Sequence, residues 1–209
     1  MKQNNLFFSL YKNNKIQTLF RRISPQIKYN SLMKKKYNFN FLRSDVLYWN
    51  WWVKNEKMER GCIPMLYKKI TTGRGKTAFD VGCGNGFYSE ILRDNGYDVI
   101  CADRCENALK IVMNKGFKFK KIDINNFSID VDEHYDVISC MGVLHHIVDD
   151  VSVKNALNMM NKHCDFLVLG VRNDLEESYK FKHRPLSFYA DIVKGEILQT
   201  DSYLDIILN

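Results

Sequence analysis

Residues 79–88 read FDVGCGNGFY: an apolar strand end, three glycines at alternate positions (82, 84 and 86), then a helix-forming run. Glycine lacks a Cβ, so it enters the left-handed region at no steric cost and lets the backbone come close to a ligand. A helix opening directly after such a turn aims free N–H groups and the positive end of its dipole at whatever occupies the turn. Thr77 to Val81 therefore reads as a buried strand and Phe87 as the first residue of a helix. Asp80 stands at the strand end, just before the first glycine. A carboxylate there suits a ligand with a cationic amino-acid portion and a ribose better than a bare phosphate.

Two nucleotide fingerprints are tested directly on the letters. A dinucleotide loop needs G-x-G-x-x-G, but here the third glycine is one place early and position 87 is Phe. A P-loop needs G-x-x-x-x-G-K-[ST]. Gly75-Lys76-Thr77 supplies its end, but position 70, where its first glycine belongs, is Ile. The string DVGCGNG instead resembles motif I of the class I S-adenosylmethionine-dependent methyltransferases.

The segments that follow extend that resemblance. Asp98 to Asp103 (DVICAD) reads as a second strand, ending in a carboxylate about 20 residues beyond the loop, where a ribose would be held. On its own, Asp103 also reads as a cap for the helix from about Glu106 to Lys115. Phe117 to Asp123 reads as a third strand, and Tyr135 to Met141 as a fourth, followed by Gly142 and VLHHI. The resemblance implies that S-adenosylmethionine is the cofactor. It assigns its binding to Asp80, Gly82, Cys83, Gly84, Asn85 and Gly86 in the loop, to Asp103 for the ribose, to Asp123 and Ile124 for the adenine, and to Met141. It also implies an α/β, Rossmann-like, doubly wound and mostly parallel seven-stranded sheet in the order 3-2-1-4-5-7-6. Helices cover both faces, with an N-terminal helical extension.

The rest of the chain supplies the remaining elements. A helix is expected over Asp150 to Lys162 and an apolar strand over Asp165 to Val171. A short helix follows from Pro185 with Gly195 as its C-terminal cap, then β-prone runs over Glu196 to Thr200 and Tyr203 to Leu208. Residues 43–75 read as a helical cap ahead of the loop. Tyr48, Trp51, Trp52 and Tyr67 there are candidates to line a pocket, although an aromatic stripe at helical spacing is more often core.

Charge separates two domains. Residues 1–44 hold ten Lys or Arg and no acid, whereas the remainder holds 21 basic against 24 acidic residues, which leaves the chain at +7. A basic arm over 1–42 thus precedes a near-neutral methyltransferase domain over 43–209. The arm has three readings: a solvated extension, a binder of nucleic acid or anionic lipid, or an organellar presequence. No apolar run approaches the roughly 18 residues of a membrane span. Six cysteines without a C-x-x-C pair suit reduced, buried thiols in a cytoplasmic protein, and no metal site is expected.

The resemblance implies methyl transfer, and absences narrow the acceptor. Position 140–142 is Cys-Met-Gly rather than the Asn/Asp-Pro-Pro-aromatic of base amino-methylating enzymes. No Pro-Cys nucleophile occurs, and Asp149-Asp150 alone is not the acidic set of the metal-dependent catechol type. The expected reaction is O- or N-methylation of a small molecule: a sugar, a biosynthetic intermediate or a lipid-linked precursor. The alternatives are a tRNA methyltransferase served by the basic arm and a non-catalytic cofactor-binding subunit. His145 and His146 are the candidate bases, with a pKa suited to neutral pH. His183 and Arg184 read as an exposed charged loop or a contact for an anionic substrate.

Overall fold

The structure, a computed structural model of the chain, describes residues 63–130, 132–172, 182–200 and 204–209. The basic arm, Tyr48, Trp51 and Trp52 lie outside the described residues.

Helix α1 (Ile63–Thr71) leads to β1 (Thr77–Val81), α2 (Phe87–Asp94), β2 (Asp98–Asp103), α3 (Glu106–Asn114) and β3 (Lys118–Lys121). After a 3-10 turn (Ile124–Asn126) come β4 (Tyr135–Met141), a second 3-10 turn (Leu144–His146), α4 (Asp150–Lys162) and β5 (Cys164–Arg172). The chain ends with α5 (Leu186–Val193), β6 (Glu196–Leu198) and β7 (Leu204–Leu208). The sheet order is β3-β2-β1-β4-β5-β7-β6. The first four pairings are parallel, while β7 runs antiparallel to both β5 and β6. This is the order expected from the sequence.

Alternation along the central strands divides the core between the two sheet faces. Phe79, Val81, Ile138, Cys140, Leu167 and Leu169 pack with Val153, Leu157 and Met160 of α4 and Tyr189 and Val193 of α5. Ala78, Val99, Val137 and Val168 pack on the opposite side with Ile63 and Tyr67 of α1, Leu92 of α2 and Val112 of α3. Tyr67 is fully buried, edge-on to Tyr88 at 4.8 Å between ring centroids; it belongs to the core. Asp136 Oδ2 accepts from Lys76 N, Thr77 N and Thr77 Oγ1 at 2.7, 2.7 and 2.8 Å, which aligns the start of β1 beside β4.

Two expectations are corrected. The third strand is shorter than Phe117 to Asp123: its lysines lie at the sheet edge, and Phe117 turns into the core. The cap of α5 is Lys194, at φ 55°, the one non-glycine residue with positive φ among the described residues. Gly195 serves a different need, because a Cβ there would lie 2.5 Å from the Leu208 carbonyl oxygen of β7. Replacing Lys194 by Gly removes left-handed strain and should raise stability by about 0.5–1 kcal/mol, net of the entropy glycine adds to the unfolded chain. Gly195→Ala should lower it by about 1–3 kcal/mol. Denaturant unfolding of the two variants checks both signs.

Candidate active site

Strand order reverses between β2 and β4 on either side of β1. The crevice beyond the carboxyl ends of these strands is where this architecture receives ligands. The glycine turn lies at that point. Gly82, Gly84 and Gly86 adopt φ of 71°, 54° and 79°. A Cβ on Gly82 would stand 2.3 Å from Val143 Cγ2, and one on Gly86 2.8 Å from Val112 Cγ1. Gly82 N and Cys83 N both donate to Ala102 O, at 2.7 and 3.0 Å, so the turn is tied to β2. Asn85 Oδ1 accepts from Phe87 N at 3.0 Å, and Lys115 Nζ donates to Asn85 O at 2.8 Å and to Glu90 at 3.0 Å. Lys115 was not expected; it reaches the turn because α3 ends beside it, a contact between residues 30 apart that carries no local signal.

Asp103, at the end of β2, bridges both sides of the crevice. Its Oδ2 accepts from Gly84 N at 3.0 Å and its Oδ1 from Cys105 N at 2.8 Å. It therefore serves the start of α3 and the glycine turn together. Each carboxylate oxygen has two lone pairs, so acceptor capacity remains for a diol. Burial raises its pKa above the ordinary value, against the lowering effect of the Cys105 and Gly84 amides. Ionised Asp103 thus costs stability at neutral pH that is regained as pH falls through its raised pKa.

Asp80 lies deeper. It is 2% exposed, and its Oδ2 accepts from Ser89 Oγ of α2 at 2.5 Å. In register it sits between Cys101 on β2 and Ser139 on β4, and Cys101 Sγ lies 3.2 Å from Ser89 Oγ. A hydrogen bond to Cys101, and then burial, push the Cys83 thiol well up, so it is a neutral thiol. Asp123 is exposed and caps the first 3-10 turn, accepting from Asn125 N and Nδ2 at 3.0 and 2.7 Å, which lowers its pKa. Ile124 is buried in the core. Met141 is buried against Gly170, where a Cβ would meet its Cε at 2.8 Å.

Beyond β4, Gly142 turns the chain at φ 71° into the second 3-10 turn. The rings of His145 and His146 lie 4.1 Å apart there. His145 is buried and His146 half-buried. Burial, then the neighbouring His146 and Arg172, hold His145 well below its ordinary value. Burial, then Arg104 and Arg172, bring His146 down to about 3. The expectation of an imidazole poised near neutral pH is therefore corrected: both are neutral rings in a site that disfavours their cations. Arg184 is corrected too. It is 4% exposed, not part of an exposed loop, and its Nε donates to Asp150 Oδ1 at 2.7 Å. His183 is exposed.

These residues fit S-adenosylmethionine. The glycine turn keeps its backbone bare of side chains at 82, 84 and 86, the adjacent helix presents its N-terminus, and Asp103 faces the turn. The family described as Methyltransferase domain matches residues 42–185, and the chain belongs to it. Its fold and cofactor are those of the class I S-adenosylmethionine-dependent methyltransferases. It is 32% identical over 113 residues (51% of this chain, 47% of the relative) to a ubiquinone biosynthesis O-methyltransferase of Nitrosospira multiformis. A protein of the same name from Bordetella avium is 28% identical over 114 residues, 52% and 47% of the two chains. The chain spans about half the length of the curated relatives it matches. Among solved structures, the N-methyltransferase NodS of Bradyrhizobium japonicum with S-adenosyl-L-homocysteine aligns at TM-score 0.57 and 16% identity, over 69% of this chain and 82% of that one. The sugar N-methyltransferase KedS8 of Streptoalloteichus aligns at 0.57 and 12%, over 75% and 90%. At such identities the likeness is one of fold.

Asp103→Ala should weaken S-adenosylhomocysteine binding at least tenfold in calorimetry while circular dichroism stays native. In the unmodified chain, affinity should fall on acidification from above the usual aspartate range near pH 4, as the raised Asp103 carboxylate takes up its proton. Unchanged affinity from pH 7 to 4 would contradict that role.

Proposed function

We propose that this chain transfers a methyl group from S-adenosylmethionine to an acidic hydroxyl oxygen, a phenol, of a small biosynthetic intermediate. The observation that carries the reading is the His145–His146 pair, rings 4.1 Å apart and withdrawn from water on the turn after β4, at the same carboxyl end of the strands as the glycine turn and Asp103. The glycine turn and Asp103 would hold the amino-acid and ribose portions, and the residues around Ile124 the base. When bound, S-adenosylmethionine supplies an electrophilic methyl group on a sulfonium, so the difficult chemistry is the cofactor's own. The protein must align an acceptor, exclude water and accommodate a proton leaving oxygen.

The state of the histidines selects the acceptor. A neutral imidazole accepts a hydrogen bond from a hydroxyl and orients it. Held far below its ordinary pKa, it retains a full proton poorly. An aliphatic alcohol needs a strong base, whereas a phenol, with a pKa of about 10 like that of tyrosine, loses its proton with far less assistance. Arg104 and Arg172, whose charges reach the imidazoles, favour the phenolate that forms. The name ubiquinone biosynthesis O-methyltransferase, carried by the relatives, agrees with an oxygen acceptor. The sugar N-methyltransferase among the structural neighbours shares the fold alone.

Turnover to S-adenosylhomocysteine by the full chain, with a panel of phenolic acids, catechols, hexoses and amino sugars, tests the reading. Phenols should be methylated, with kcat/KM rising with pH towards their own ionisation. His146→Gln should lower kcat by about 10–100-fold with S-adenosylhomocysteine affinity unchanged. Turnover of sugars or amines with phenols inert would overturn the choice of acceptor. No turnover of any acceptor, in a chain that binds the cofactor, would favour a non-catalytic subunit.

A further inference from the structure

The histidine turn is held from outside by the short segment that enters α5, and none of the chemistry described so far uses that segment. Lys182 N donates to His145 O at 3.0 Å. Arg184 Nη2 donates to Val148 O at 3.0 Å. Lys182 Nζ and Arg184 Nε converge on one oxygen of Asp150, at 2.8 and 2.7 Å. The turn is thus fastened at positions 145, 148 and 150 by residues more than 30 places away. Asp150 opens α4, where a carboxylate also complements the helix dipole, and Asp149 caps the same helix through Ser152 N at 2.6 Å. Arg184 is buried with its guanidinium 5.5 Å from the Phe188 ring. A buried guanidinium needs its anionic partner, because an unpaired charge there is strongly disfavoured. The two cations and Asp150 therefore hold together or separate together.

We propose that Asp150, Lys182 and Arg184 form a clasp that positions His145 and His146, so that the acceptor side of the site exists only while the segment entering α5 is seated on the turn. The three are positioning residues, and the proposal rests on the reading that the acceptor is received beside this turn. The clasp excludes water from the two rings. The charged groups that face them are Arg104, after β2, and Arg172, at the end of β5, together with each other. Opening the clasp leaves those charges in place but readmits water, so the rings regain part of their basicity. The cofactor side is built from β1, β2 and the glycine turn, and the clasp touches none of these.

The test is histidine nuclear magnetic resonance on the full chain labelled at imidazole Cε1, titrated from pH 5 to 8. His145→Gln and His146→Gln assign the two signals. In the unmodified chain both should stay still across the window. In Arg184→Gln and in Asp150→Asn both should titrate, with midpoints moved up towards the ordinary value of about 6.5, while S-adenosylhomocysteine affinity stays within about threefold. Arg184→Lys, which keeps a donor for Asp150, should give intermediate midpoints. Gly195→Ala loosens α5 from its other end and should leave both signals still. If Arg184→Gln does not fold, Asp150→Asn carries the test, since that carboxylate is about half exposed. Static signals in Asp150→Asn, loss of cofactor affinity in a folded variant, or equal release by Gly195→Ala would each overturn the clasp. None of these readings depends on which acceptor is methylated, so failure to turn over phenols would leave them intact.

Discussion

A carboxylate with 2% exposure, Asp80, lies near the end of β1 between β2 and β4, and the elements around it satisfy it. A buried carboxylate without hydrogen bonds is costly, by several kcal/mol. Here the Ser89 hydroxyl supplies a short bond from the first turns of α2. That bond connects the last residues of β1 to the helix on the far side of the glycine turn, so the turn is spanned from beneath. Its upper surface is tied to β2 through Ala102 O and Asp103, and its outer side is braced by Lys115 from α3. The geometry of the turn follows from these three attachments together. Glycine at 82, 84 and 86 is the consequence: Val143 and Val112 close the space a side chain would need at two of those positions.

Much of this was legible from residue order. β1, β2, β4 and α4 begin and end where apolar runs and turn residues place them, because strands covered on both faces read as continuous hydrophobic segments. Residue order also pointed to the glycine turn and Asp103, each a local pattern at a strand end, whereas the reversal of strand order between β2 and β4 came only from the family resemblance those patterns carry. Lys194 illustrates where such reading fails. A left-handed helix end is usually glycine, and a glycine stood one residue further on, yet that glycine is needed for close approach to Leu208. Two demands on neighbouring positions were met in the less common order. Arg184 was misread for a related reason: in a run of Lys182, His183 and Arg184 nothing local distinguishes a solvated cation from a buried one. Its burial follows from Asp150, 34 residues earlier.

The electrostatics of the two histidines are likewise a tertiary property. As letters, His145 and His146 are two groups that titrate near neutrality. Folded, they lie against each other with rings tilted by 40°, half or fully withdrawn from water, and face Arg104 and Arg172. Each influence opposes the imidazolium, so they add rather than compete. A chain built this way gains orientation and a dry surface at the cost of base strength. The cost is tolerable when the acceptor is itself acidic and the methyl donor is a sulfonium.

The two halves of the crevice thus differ in what makes them. The half proposed to hold the cofactor is mostly backbone: glycine N–H groups and a helix start, with one carboxylate at a strand end. Its form is set mainly by residues between β1 and α3, with Val143 closing one side. The half proposed to receive the acceptor consists of side chains brought together by the return of the chain after β5, and the entry to α5 holds it through the Asp150 ion pairs and through hydrogen bonds to His145 O and Val148 O. Backbone geometry of the first kind has few alternatives and is written as a short motif. Contacts of the second kind can be exchanged for others without disturbing the sheet, which lets one scaffold accept different molecules while handling one cofactor. On the proposed reading, Asp150, Lys182 and Arg184 act on the acceptor only through the turn they hold, and the glycine turn and Asp103 lie outside their contacts.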